Sequence, residues 1–223
     1  VAKFRLYLEQ GIAPPKAPHL YTKARDVKPG ELGSTAVANG VRLLQAHVDE
    51  NSKSPLTAVG MAHTQLMQAR GGNLRIAAIQ SGMKDLRRES RTGSVMLLVN
   101  ARYEPIRSAG KVLREETCFT TLGVGLHVMR WKEIMLYLPG KEPRRVTGVE
   151  AWIIQHELGD HWMGSTCAIR AHNQGRKLYY VPPEWHNTFF RGGFELGWPE
   201  YSWEQYVATM NGRFDLTNYL KFL

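Results

Sequence analysis

The sequence predicts an α+β domain, and three observations point to it. Ser34-Thr35 introduce a helical pattern in which Val37, Val41, Leu43, Leu44 and Val48 recur at helical spacings. Three short runs, at 74–79, 95–100 and 134–138, are apolar, strand-sized and bounded by turn residues such as Gly71-Gly72, Ser81-Gly82 and Pro139-Gly140. A second helical pattern lies between residues 146 and 163, through Val149, Trp152, Ile153, His156 and Glu157, with its polar residues late.

Ahead of the first helix, residues 1–32 are rich in proline and lysine. Pro14-Pro15, Pro18 and Pro29-Gly30 break any long element, so this stretch reads as an extended arm. Residues 33–178 form the main domain. From 179 onward the character changes, because 13 of the 22 aromatic residues fall in the last 45 positions, among them Tyr179, Tyr180, Trp185, Phe189, Phe190, Trp198 and Trp203. Such an extension either packs on its own domain or offers a docking surface to a partner.

Composition narrows the classes further. With 43% hydrophobic and 22% charged residues among 223, the chain is not disordered, collagen-like or coiled-coil. The best apolar run, Val95-Met-Leu-Leu-Val99, falls far short of the ~18 residues of a membrane span, so no membrane is expected as a partner. Two cysteines build no disulfide framework, which fits an intracellular protein with free thiols. A net charge of +9 favours polyanionic surroundings, an RNA or a ribosome foremost. The first thirty residues show no secretory pattern. A start at Val1 fits either a mature form whose targeting peptide has been removed or part of a longer chain.

The segment that carries chemistry is Gln155-His-Glu-Leu-Gly-Asp-His161. Two imidazoles and a carboxylate on one helix are what a metal hydrolase needs, the rings to hold a cation and the carboxylate to move protons. The spacing is unusual. His156 and His161 are five apart, which on a regular helix leaves their side chains about 140° apart, against about 40° for a step of four. Upstream, Glu116-Thr-Cys-Phe-Thr120 places a cysteine 38 residues before His156, and Ala58-Val-Gly-Met-Ala-His-Thr-Gln65 is a small-residue segment ending in an amide.

These three segments, in this order, resemble the three signatures of the peptide deformylases: a glycine-rich segment ending in glutamine, then Glu-Gly-Cys-Leu-Ser, then Gln-His-Glu-x-Asp-His. The likeness spans roughly residues 25 to 165. The strand-like run at 74–79, Met96-Leu-Leu-Val-Asn100 and Gly123 also fall where the family has counterparts. It implies a peptide-deformylase-like fold, with antiparallel sheets packed around a central metal-binding helix. It further implies that Cys118, His156 and His161 hold a divalent metal, ferrous iron natively with zinc or another substitute possible. Glu157 would take a proton from the attacking water and return it to the leaving amine. The Gln65 side-chain amide and the Phe119 backbone N–H would stabilise the developing oxyanion. Glu116 would orient a ligand from behind.

Departures from the pattern leave alternatives open. Gly159 reads as one inserted residue. A π-bulge would return His161 to the metal. A regular helix would instead bring Asp160, four after His156, into the ligand set, and a third outcome is no metal at all. Thr117 for the family glycine, Ala58 for the first glycine of its segment, Leu122 for the usual proline, and His63-Thr64 for Ala-Pro are softer differences.

Other signals carry less. Gly123-Val-Gly125 lacks the setting of a nucleotide loop. Cys167 reads as a buried small hydrophobe rather than a ligand. His172 and His186 have no metal-ligand spacing. Lys84, Arg87, Arg88 and Arg91, against Asp85 and Glu89, read as a solvated helix face, the alternative being a contact to RNA phosphates.

Two functions are expected from this reading. The first is a hydrolase that removes the formyl group from the initiator methionine of nascent formyl-methionyl peptides, in a mitochondrial matrix or other organelle, or in a bacterial cytoplasm. The second is a catalytically degenerate relative serving as a structural or assembly component of an organellar ribosome, suggested by the basic balance, the terminal extensions and Gly159.

Overall fold

Ser34 starts the first long element. Its hydroxyl accepts the Val37 N–H at 3.3 Å, capping α1 (Thr35–Val48), as the sequence predicts. In the computed structural model the described residues are 12–13, 17–49, 58–67, 69, 72–82, 94–121, 124–180 and 200–213. The basic stretch Lys84–Arg91, Gly71, Leu122, Gly123, Trp185, His186, Phe189, Phe190 and Trp198 lie outside them.

Among the described residues ten strands form three antiparallel sheets. β1 (Gly60–Ala62), β2 (Ile76–Gln80) and β3 (Val95–Val99) make the first, in that order. β4 (Arg102–Pro105) belongs to a different sheet, and Asn100 between them takes a left-handed φ of 50°. β5 (Lys111–Glu116) pairs with β6 (Val124–Trp131). β7 (Glu133–Tyr137) lies between β4 and β8 (Arg144–Thr147). After α2 (Gly148–Gly159) and α3 (Cys167–Asn173), β9 (Leu178–Tyr180) adds to β6, β10 (Glu200–Tyr201) adds to β9, and α4 (Trp203–Arg213) follows.

The period of two along β2 explains how its sheet serves two layers. Ile76 and Ala78 face one cluster with Val37, Leu44 and Val48 of α1. Ala77 and Ile79 face the opposite cluster with Ala151, Ile153, Ile154 and Leu158 of α2. Both faces are therefore covered, and every residue of β2 is buried.

α2 is the centre of the molecule, in contact with strands of all three sheets. Ile134, Leu136 and Val146 from the third sheet join the same core. Gln155 pins the helix to β6, accepting the Trp131 N–H at 2.8 Å and donating to the Trp131 carbonyl at 2.9 Å. That side chain replaces a strand partner, satisfying backbone groups that would otherwise be buried alone.

The predicted helix between 146 and 163 divides in two. The α-helix ends at Gly159, and a 3-10 turn runs over His161–Met163. The Pro-rich region holds 3-10 turns at Pro18–Tyr21 and Pro29–Glu31, buries Leu20, Ala24 and Val27, and Ile12 bridges to Leu66. Among the described residues no helix is long and apolar enough to cross a membrane.

Candidate metal centre

Three polar side chains from two distant parts of the chain converge. Cys118 follows β5, His156 lies on the third turn of α2, and His161 opens the 3-10 turn beyond it. His161 Nε2 lies 3.3 Å from His156 Nε2 and 3.3 Å from Cys118 Sγ. Two nitrogens and a sulfur bound tetrahedrally at ordinary zinc-like bond lengths stand about 3.3–3.6 Å apart, so both distances from His161 suit one cation, and Cys118 and His156 bring donor atoms within 4.8 Å of each other.

The path of the chain past Gly159 makes this possible. It uses neither a π-bulge nor a continued helix. Asp160 donates the last helical bond to His156 and then turns with φ −106° and ψ −68°. This change of winding brings His161 back toward His156, so the five-residue step no longer aims its ring away. Gly159 is fixed by a close approach, since a Cβ there would meet the Tyr103 hydroxyl oxygen at 2.6 Å.

Asp160 is committed elsewhere. Completely buried, it is paired with Arg130 at 2.7 Å and with Arg170, which also holds the Gly159 carbonyl. Glu116, His156 and Asp160 do bring ligand atoms within 4.8 Å of one another. A cation among those three would face the buried Arg130 guanidinium, already shared between the two carboxylates. Among the described residues no arginine or lysine hydrogen-bonds to Cys118 or His161, on the other face of His156.

His156 is oriented from behind. Its Nδ1 donates to Glu116 at 2.8 Å, which directs Nε2 at His161. Glu116 also accepts two bonds from Arg130 at 2.6 Å and one from the Trp152 indole. Burial opposes charge on Glu116, but Arg130 and His156 outweigh it and hold its carboxyl down at about 2.

The same contest runs through the candidate ligands. Burial pushes Cys118 up, yet Cys167 and the two imidazoles overcome it and keep the thiol well below its ordinary value. Burial likewise pushes His156 down, while Cys118 and Glu116 more than reverse it. Negative groups thus favour positive charge where the two rings meet, the condition a divalent cation also satisfies.

Glu157 follows His156 and is buried beside Gly60, where a Cβ would stand 2.8 Å from Glu157 Oε1. Burial is the main cause that pushes its carboxyl up to about 7, near the working point of a proton carrier. Glu157 Oε2 and His161 Nδ1 are buried without a protein hydrogen-bond partner among the described residues. An orphaned buried polar atom costs about 1–3 kcal/mol, a cost that fits a site built to receive something.

Gln65 ends the 3-10 turn His63–Gln65. Its oxygen accepts the Ala62 N–H at 2.8 Å, so its amide nitrogen must point the other way, toward Cys118 Sγ at 3.5 Å. Phe119 opens the turn Phe119–Thr121, which the Thr121 N–H closes on the Cys118 carbonyl at 3.0 Å. The Phe119 N–H therefore has no partner within that turn.

Sequence reading missed Arg130 and Arg170 in this site. Neither belongs to a motif, and Arg130 reaches Glu116 only once the β5–β6 register is set. Trp152 did carry a signal: it precedes His156 by four, on the same face of α2.

A sulfur, two imidazoles and a buried carboxylate on a helix between antiparallel sheets define a metal-dependent hydrolase. Residues 10–177 match the model of the polypeptide deformylase family. The chain belongs to that family, and it is a metal-dependent deformylase. Solved structures agree in fold. A class I type b peptide deformylase from Acinetobacter baumannii aligns with a TM-score of 0.56 at 22% identity, covering 72% of this chain and 97% of its own. A plant peptide deformylase gives 0.54 at 19%, covering 73% and 80%. One from Plasmodium falciparum gives 0.53 at 17%, covering 72% and 85%. A sequence comparison with curated proteins finds no match.

Proposed function

We propose that Cys118, His156 and His161 hold one divalent cation, and that the substrate is the formyl-methionyl end of a nascent polypeptide. The observation that carries this is that His161 Nε2 lies 3.3 Å from both Cys118 Sγ and His156 Nε2, next along the helix to Glu157, whose Oε2 has no partner among the described residues. Ferrous iron is the proposed native metal, with zinc as a substitute, since one sulfur and two imidazoles suit either.

When bound, the cation supplies Lewis acidity, polarising the formyl carbonyl and making water more acidic. Glu157 takes the proton from the attacking water at its carboxylate and delivers it to the leaving amine, and formate departs. The Gln65 amide nitrogen, held in place through the Ala62 bond, and the Phe119 N–H donate to the oxygen as it gains charge. Glu116 keeps the His156 ring aimed, and Arg130 keeps Glu116 ionised.

Anaerobic metal analysis with a formate-release assay on a formyl-Met peptide tests this reading. About one metal per chain and release of formate are expected. Glu157→Gln should lower turnover by roughly 10²–10⁴-fold while sparing the metal. Metal-free protein with unchanged formate release in the variant would overturn it. A place in an organelle, the mitochondrial matrix foremost, and contact with ribosomal RNA are part of the proposal. The net charge of +9 supports the second, and ribosome co-sedimentation that weakens with salt checks it.

A further inference from the structure

Cys167 is a thiol that the reaction above does not use. It begins α3, is completely buried, and shares an apolar cluster with Cys118, Val124, Leu126 and Ala168. Its Sγ, the Sγ of Cys118 and a ring nitrogen of His156 lie within 4.8 Å of one another. Thr121 joins the two cysteines, donating from its hydroxyl to the Cys118 carbonyl at 3.3 Å and contacting Cys167 Sγ at 3.7 Å. Both cysteines are free.

We propose that Cys118 and Cys167 form a reversible redox pair, in which a hydroperoxide converts them to a disulfide and withdraws the sulfur donor from the metal centre. The order of events follows from access. Cys118 is 7% exposed and Cys167 is 0% exposed, so Cys118 meets the oxidant and Cys167 resolves. The Cys118 sulfur attacks one peroxide oxygen and the O–O bond breaks, the thiol proton passing to the departing oxygen, which leaves a sulfenic acid on Cys118 and one water (or alcohol). The Cys167 sulfur then attacks the Cys118 sulfur, the S–S bond forms, and the hydroxide that leaves takes the Cys167 proton as a second water. Two thiols lose two electrons and the peroxide gains them. The S–S bond needs the sulfurs about 2 Å apart, and they start within 4.8 Å of each other.

A cation on Cys118 draws electron density from the sulfur and lowers its nucleophilicity, and a disulfide sulfur is no longer a thiolate donor, so metal and disulfide compete for Cys118. That competition rests on the metal reading, whereas the pairing of the two thiols does not. The opposite role for Cys167 is a fourth metal ligand, which would close the site as in structural zinc centres.

Intact-mass measurement on the full chain separates these. Zinc-loaded and chelator-treated protein are each given hydrogen peroxide in about tenfold molar excess, enough to supply the two or three oxygens of a sulfinic or sulfonic acid. The chelated form should lose about 2 Da and both free thiols, regain them with dithiothreitol, and yield a peptide linking Cys118 to Cys167. Zinc should slow the loss several-fold; equal rates with and without zinc would overturn the competition but leave the pair standing. Cys167→Ser, with Cys167→Ala as a second variant for folding, should instead gain about 32 or 48 Da at Cys118, and dithiothreitol should not reverse it. The pair is overturned if wild-type protein gains that mass as fast as the variants. It is overturned equally if both variants lose zinc affinity by roughly tenfold or more, which would make Cys167 a ligand.

Discussion

Glu116 Oε2 lies 2.8 Å from His156 Nδ1, and Arg130 grips both oxygens of the same carboxylate at 2.6 Å. One buried acid thereby serves two purposes, aiming the His156 ring and neutralising an internal cation. Glu116→Gln keeps the shape and removes the charge. It should weaken metal binding by about 10–100-fold and cost about 3–5 kcal/mol, because Arg130 is left undercompensated. Competition titration with a chromophoric chelator and urea unfolding measure the two effects. An unchanged metal affinity would show that His156 is oriented without it.

Gln65 acts on a different quantity. Its amide nitrogen faces Cys118 while its oxygen is spent on Ala62. Gln65→Ala should lower kcat by roughly 10²–10³-fold with little change in bound metal, as expected on losing one oxyanion donor. Steady-state formate release and metal content on the same preparation check this. A loss of metal in parallel would make Gln65 a support for Cys118 instead.

Gly159 lacks a side chain because Tyr103 occupies the space. A Cβ at Gly159 would stand 2.6 Å from the tyrosine oxygen. Gly159→Ala should cost about 1–3 kcal/mol by overpacking, and Tyr103→Phe in the same chain should recover part of that by removing the hydroxyl. Thermal unfolding of the two single variants and the double variant closes the cycle. Additive losses would place the strain elsewhere.

His63 gives a pH signature away from the cation. Burial, with a smaller push from His19, lowers its pKa from 6.5 to about 4. The folded state therefore resists protonation that the unfolded chain accepts. The stability this contributes is present above pH ~6.5 and is lost as the pH falls toward 4, about 3 kcal/mol in all. His63→Gln should flatten the fall in stability across that window, by an amount read from denaturant midpoints at several pH values. Parallel profiles for parent and variant would refute the assignment.

The amino-acid order by itself determined the residue types of the site, their sequence along the chain and the main elements that carry them. Helical spacing fixed α1 from its Ser34 cap, and the three motif segments placed Gln65, Cys118 and His156. Local patterns are legible because they depend on neighbours in the sequence. Strands such as Lys111–Glu116 and Arg144–Thr147 were not seen, since their charged residues mask the alternation and only pairing with β6 and β7 stabilises them.

The fate of His161 could be decided only in three dimensions. Residue spacing on a regular helix aims it away from His156. The helix instead stops at Gly159, where Tyr103 presses close and Arg130 and Arg170 hold Asp160 in the turn. Tyr103 and Arg130 come from strands far off in sequence, and Arg170 from the next helix. Their charge and packing select the backbone path that a local rule of periodicity cannot contain.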